Sequence, residues 1–408
     1  MPDIGALCKQ RGWSRARLIH ELRRVAKAQG RELPSDESMI RMIREWVNRR
    51  REPTAYFDLL SAVFDVPFGP APLALVTEDP TGGLMAAASE ICADAMVRSN
   101  RLGADVISQL FDQLKYLSRD YNLQAPSTVI DSANGLRRMS LQLLESTRRP
   151  SEQADLYAIA AASAALTASM AFDLDQWGAA ARLADAGVSY AELAGHSSLE
   201  AWTLGLRATL AFWNDEPDRA LSAVDRGLTM APAGTPRVRL LYIASRAYAV
   251  QGDAKSAARV LAEAERDQAV STDRPDELHD RIGGEFRFDL ARSAACAGAT
   301  WLQLGNGDEA ERYTSQALTA FTDLADPQQF SQRVGAQIDT AAARLLRGEL
   351  TGAEDAIRPV LDIDAARRTV ALTGRMNRVR DQLTAKRWQA DSSALKLATE
   401  LREWQAAS

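Results

Sequence analysis

The chain has 408 residues, of which 46% are hydrophobic and 25% charged, with 24 glycines and 15 prolines. That composition excludes a wholly disordered, fibrous or low-complexity protein, and the length predicts two or three domains. The formal charge of −5 is unevenly placed: residues 1–69 hold 13 Lys and Arg against 9 Asp and Glu, so a basic head precedes an acidic body and is expected to meet a polyanion.

The first helix is predicted over residues 2–10, ended by a left-handed turn at Gly12. Ser14 is the expected N-cap of a second helix, residues 15–28, with Leu18, Leu22 and Val25 on one apolar stripe. Gly30 and Pro34 break it, and Ser35 or Asp36 starts a third helix that runs to about residue 49. Met39, Ile43, Trp46 and Val47 form its inward face; Arg41, Arg44, Glu45 and Asn48 form much of the opposite one. A fourth helix follows over residues 55–64, with Tyr56, Leu59, Leu60 and Val63 inward.

Four short helices with an arginine-rich third suit the major groove of double-stranded DNA. Arg41 and Arg44 can bridge guanine O6 and N7, Asn48 can pair with an adenine edge, and Glu45 completes the base-reading face. Arg15, Arg17 and the run Arg49, Arg50, Arg51 are placed to meet phosphates, which position the domain without reading sequence.

The pattern Gly12-Trp13-Ser14 with Leu18, then Met42-Ile43-Arg44-Glu45-Trp46-Val47-Asn48 with Arg51-Glu52-Pro53, resembles the Xre-type (lambda-repressor-like) helix-turn-helix. It is most similar to the actinobacterial branch, which carries a helical-repeat domain behind the head. Val47 stands where that family usually has Glu, Arg49 where it usually has Gly, and residues 23–32 form an insertion.

Residues 70–83 read as a linker and residues 84–155 as a helical adaptor or degenerate first hairpins, with Leu110, Phe111, Leu114 and Leu117 on one stripe. Beyond them one register recurs five times: a small residue followed twelve positions later by alanine, at Ser169/Ala181, Ala208/Ala220, Ser245/Ala257, Gly298/Ala310 and Ala341/Ala353. A turn lies within each pair, because two antiparallel helices approach closely only where small side chains face each other. An insertion over residues 270–285 lengthens one step, and a last helix, residues 391–406, is placed to cap the end. The spacing is similar to the tetratricopeptide repeat. The expected fold is therefore all-α: a helix-turn-helix followed by a right-handed α-solenoid of tetratricopeptide-like hairpins over residues 156–408.

In that repeat the concave face comes from the first helix of each hairpin. The resemblance places Trp202, Thr209, Phe212, Trp213, Arg239, Tyr242, Arg246 and Arg292 there, with Gln303, and implies a peptide or small-molecule effector. No phosphate-binding glycine loop, ligand-spaced His or Cys set, or nucleophile motif occurs, so neither an enzyme nor a cofactor is expected. Cys8, Cys92 and Cys296 lie far apart, which predicts no disulfide framework and no metal site. No apolar run approaches the ~20 residues of a membrane span, and the N-terminus lacks a secretory pattern. The reading is a cytoplasmic, homodimeric transcriptional regulator. The alternatives are a protein-interaction scaffold whose head does not bind DNA, and an enzyme hidden in the body.

Overall fold

The computed structural model describes residues 2–48, 52–66, 68, 80–98, 104–121, 123, 126–270, 276–324 and 330–406. The chain divides into two compact units, Met1–Cys92 and Ala93–Ser408. All regular structure among the described residues is helical.

In the first unit α1 (Ile4–Gln10) begins two residues later than predicted, because Asp3 caps it by accepting from the Ala6 N–H at 3.0 Å. Gly12 takes a φ of 64°, and Ser14 accepts from the Arg17 N–H to start α2 (Arg15–Ala28). A third helix, α3 (Asp36–Val47), stops short of residue 49. The fourth element opens with a 3-10 turn, Thr54–Tyr56, before α4 (Phe57–Phe64). Leu18 and Leu22 of α2, Met39, Ile43 and Trp46 of α3, and Leu59, Leu60 and Phe64 of α4 close a single core. Arg11 donates to the carbonyls of Val63 and Phe64 and lies over the rings of Trp13 and Phe64 at 5.3 and 5.5 Å, so it satisfies the C-terminal end of α4. The helix α5 (Pro80–Arg98) takes in residues 80–83 of the predicted linker, whereas residues 70–79 lie outside the described residues.

The second unit starts with α6 (Ala104–Arg119) and α7 (Pro126–Leu143), which pack on each other and on α8 (Pro150–Asp173). Five hairpins follow: α8 with α9 (Trp177–Ala194), α10 (Ser197–Trp213) with α11 (Pro217–Met230), α12 (Thr235–Val250) with α13 (Ala254–Ala269), α14 (Leu290–Gln303) with α15 (Gly307–Leu324), and α16 (Phe330–Arg347) with α17 (Leu350–Leu361). The pair α18 (Val370–Leu383) and α19 (Ser392–Ala406) ends the row. The first helix of each hairpin also packs against the first helix of the next, and α18 reaches back to α8.

Each of the five turns is built the same way. A left-handed residue, Asp175, Asp215, Gly252, Gly305 or Gly348, ends the first helix. The next N–H then bonds back to a carbonyl five residues earlier, at 2.8–2.9 Å, in the Schellman manner. Five residues after each left-handed position stands an alanine with no exposed surface: Ala180, Ala220, Ala257, Ala310 and Ala353. The register expected for the first hairpin is therefore one residue out. Ala181 is exposed, and Ala168 with Ala180 takes the place of Ser169 with Ala181. Run length misled the sequence reading there, because alanines occupy both alternatives and only the turn fixes the phase. The close approach is visible at Gly298, where a Cβ would lie 2.6 Å from the Thr314 methyl and 3.4 Å from the Ala310 carbonyl oxygen.

Contrary to the expectation of no long apolar run, α8 is long and apolar enough to cross a membrane, with 89% of its apolar window buried inside the protein. Its neighbours α7, α9 and α10 cover it, which accounts for an apolar sequence on every side.

The insertion is not a surface excursion. After residues 271–275, which lie outside the described residues, the chain makes a wide turn over Glu277–Ile282 and a 3-10 turn over Gly284–Phe286. Leu278, Ile282, Phe286 and Phe288 are all buried. Ser118 on α6 donates to the Gly283 carbonyl at 2.7 Å and accepts from the Glu285 N–H at 3.0 Å. His196 and His279 also hold this segment, through Glu277 at 3.2 Å and the Phe288 N–H at 3.0 Å.

Candidate functional sites

On the first unit, Arg41, Arg44 and Asn48 are exposed and Glu45 is half-buried. Residues 37, 41, 44 and 48 share one face of a helix by spacing, opposite Met39, Ile43 and Trp46. Most other arginines of this unit are occupied. Arg17 and Arg24 flank the largely buried Glu21, both at 2.8 Å, and hold its carboxyl below the usual carboxylate range, chiefly through the Arg24 hydrogen bond. Arg23 bridges to Asp36 at 2.7 Å and the Pro34 carbonyl, and Arg31 to Asp58 at 3.0 Å. Arg15, Arg41 and Arg44 have no acidic partner among the described residues. The predicted phosphate contacts Arg49, Arg50 and Arg51 lie outside the described residues.

In the second unit the first helices of the five hairpins and α18, with Tyr121 and the insertion, line a cavity of about 240 Å³. Six residues predicted for the effector line it: Trp202, Thr209, Phe212, Arg239, Arg246 and Arg292. Trp213 stands behind the wall, 5.6 Å from the Arg246 guanidinium and 5.7 Å from that of Arg375. Tyr242 is buried away from the cavity, donating to Gln268 at 3.2 Å and packing on Phe288. Gln303 accepts from Arg378 at 3.0 Å.

The lining carries seven formal charges. Arg239 donates to the Trp202 carbonyl at 2.8 Å and lies 4.5 Å over its ring, in space that a side chain on Gly205 would fill. Arg292 is consumed by the insertion, donating to the carbonyls of Gly284, Glu285 and Arg287. Arg375 binds Asp339 at 3.1 Å, leaving Asp339 Oδ1 without a hydrogen-bond partner among the described residues. Arg246 lies 4.5 Å over the Phe212 ring and has no hydrogen-bond acceptor or carboxylate partner among the described residues. Burial pushes Arg239 and Arg246 each down to about 10, with the nearby Arg375 charge contributing at Arg246.

At the other end Tyr121 donates to Asp173 at 2.8 Å. Burial, with the nearby Glu285 charge, pushes Asp173 up to about 7. Burial likewise raises Glu285, against the pull of Arg292 and Arg239. Four guanidiniums thus face three carboxylates, one of them part-protonated near neutrality, and the interior carries excess positive charge. Phe172, Leu206, Ile243, Phe288 and Leu372 supply an apolar girdle.

Tyr121, Asp173, Glu285, Asp339 and Arg375 were not singled out from the sequence. Asp339 carried a usable signal. It lies two residues before its hairpin's small residue, as Leu206, Ile243 and Cys296 do, and all four line the cavity. Arg375 sits on α18, which lacks the repeat mark. Tyr121 and Glu285 arrive from outside the repeats, so no periodicity announces them. Among the described residues no cluster of three His, Cys, Asp or Glu is arranged to hold a metal ion, and the three cysteines are free. Comparison with protein-family models gives no match for this chain, and comparison with curated proteins gives no similar chain.

Proposed function

We propose that the chain is a DNA-binding transcriptional regulator whose second unit dimerises and senses an effector. In this reading the first unit is an Xre-type helix-turn-helix with α3 as recognition helix, and the stacked hairpins are a right-handed, tetratricopeptide-like α-solenoid. The observation that carries it is the contrast among arginines. Arg17, Arg23, Arg24 and Arg31 are neutralised within the unit, whereas Arg41 and Arg44 stand exposed on the face of α3 turned away from the core, with no internal carboxylate. A folded domain gains little by leaving such a pair unmatched, and a polyanion supplies the missing charge. Two heads on a dimer read two half-sites about one helical turn apart, which multiplies specificity.

Supporting the sensing role, the cavity is charged and lined from all five hairpins and from α18, so an occupant touches the whole row at once. Its volume of about 240 Å³ favours a small molecule over a peptide. The test is binding to genomic fragments as a function of salt. Affinity that falls steeply with salt, and is lost in the Arg41→Ala, Arg44→Ala double variant while the fold is kept, supports the proposal. Affinity indifferent to both salt and the substitutions overturns it in favour of the scaffold.

A further inference from the structure

We infer that the cavity of the second unit binds a small apolar monocarboxylate, and that Arg246 is the residue that grips its carboxylate. This deepens the sensing part of the proposed function and is independent of its DNA-binding part.

The argument starts from an imbalance. Three of the four cavity arginines have hydrogen-bond acceptors within the protein: Arg239 the Trp202 carbonyl, Arg292 three carbonyls of the insertion, and Arg375 the Asp339 carboxylate. Arg246 alone has none, although its guanidinium carbon lies over the rings of Phe212 at 4.5 Å and Trp213 at 5.6 Å. Contact with two rings restrains the guanidinium, and its donors have no acceptor among the described residues. A fixed fork is the geometry that receives a carboxylate through two parallel hydrogen bonds.

The electrostatics limit the ligand further. Arg246 and Arg375 repel each other, and the nearby carboxylate of Asp339 is bonded to Arg375. A ligand carboxylate on Arg246 supplies the partner that Asp339 gives to Arg375. A dianion is disfavoured, because Asp173 and Glu285 stand at the opposite wall. The apolar girdle of Leu206, Ile243, Phe288 and Leu372 then takes the body of the ligand. Gln332 Oε1 and Asp339 Oδ1 are buried with no partner among the described residues, and accept from a hydroxyl or N–H if the ligand carries one.

The experiment uses the full chain, with phenylacetate, hexanoate and indole-3-acetate as probes, their primary amides as neutral counterparts, and inorganic phosphate as a dianionic control. Calorimetric titration gives affinity, and tryptophan fluorescence reports the cavity through Trp202. At least one carboxylate is expected to bind about tenfold or more tighter than its amide. Arg246→Met should remove that preference while retaining helicity and thermal unfolding close to the parent protein. Arg246→Lys, which keeps the charge without the fork, should fall between. Equal binding of acid and amide, binding of phosphate as tight as of any carboxylate, or no binding across the three carboxylates overturns the inference. A carboxylate that binds but leaves DNA affinity unchanged defeats the sensing role and not the site. Absence of DNA binding with the acid preference intact defeats the regulator reading alone.

Discussion

Tyr121 and Asp173 form a hydrogen-bonded pair at 2.8 Å on the wall of the cavity, the tyrosine hydroxyl donating to Oδ2. The pair couples the segment after α6 to the last turn of α8, and it has a consequence for pH. Asp173 is pushed up to about 7 by burial and by Glu285, so the folded state holds its proton more tightly than the unfolded chain does. Its contribution to stability is fully present below the ordinary aspartate range, near pH 4, and is lost as pH rises through 7. Asp173→Asn keeps an acceptor for Tyr121 and removes the charge. Between pH 5 and pH 8 the variant should gain on the parent protein by about 2–3 kcal/mol, read as the difference between their denaturation midpoints. A gap that stays constant, or moves the other way, refutes the assignment.

Gly284 takes a φ of 58°, and a Cβ there would collide with the Ser118 carbonyl. Gly284→Ala is therefore expected to cost about 2–4 kcal/mol in urea denaturation. Relief is not available by side-chain movement, since the obstacle is backbone. Ser118→Ala, which removes one acceptor and one donor from the insertion, should cost about 1–3 kcal/mol.

The turn-based register makes a sharp comparison possible. Ala180 has no exposed surface and Ala181 is exposed. Ala180→Leu should lower stability by about 1–3 kcal/mol through overpacking, while Ala181→Leu should stay within about 0.5 kcal/mol. Equal effects at the two positions, measured by thermal unfolding, contradict the placement of α9 on α8.

For DNA binding, Arg41→Ala and Arg44→Ala should each weaken an operator fragment by about 1–3 kcal/mol and relax base preference. Arg15→Ala should instead weaken all sequences alike and reduce the salt slope by about one. Arg17 is tied to Glu21 at 2.8 Å, so Arg17→Ala should have the smaller effect of the two phosphate candidates. Filter binding at several salt concentrations separates these cases.

Much of the helical layout was legible because its signals are local. Gly12, Ser14, Gly30 and the alternation of Leu18, Leu22, Met39 and Ile43 act within a few residues of where they stand. The same holds for three of the hairpin turns, where the left-handed residue is a glycine, Gly252, Gly305 or Gly348, that marks its own position. The cavity was half legible. Trp202, Arg239 and Arg292 each stand six residues before their hairpin's small residue, Thr209 and Arg246 one after it, and a repeat projects the same register positions onto one surface. What escaped was tertiary. Glu285 and Tyr121 reach the wall because Ser118 draws the insertion onto α6, a pairing between residues 165 apart in the chain. The slip at Ala181 came from composition, since an alanine-rich stretch offers several equivalent phases until a turn selects one.

Trp213 packs at once against Phe172 near the end of α8 and against Gly374 on α18, where a Cβ would stand only 3.0 Å from its ring. The row of hairpins is thereby clasped into a loop rather than left as an open spring. Enlarging Gly374 by a single methyl group should therefore press on the Trp213 ring and strain the join between the two ends of the row.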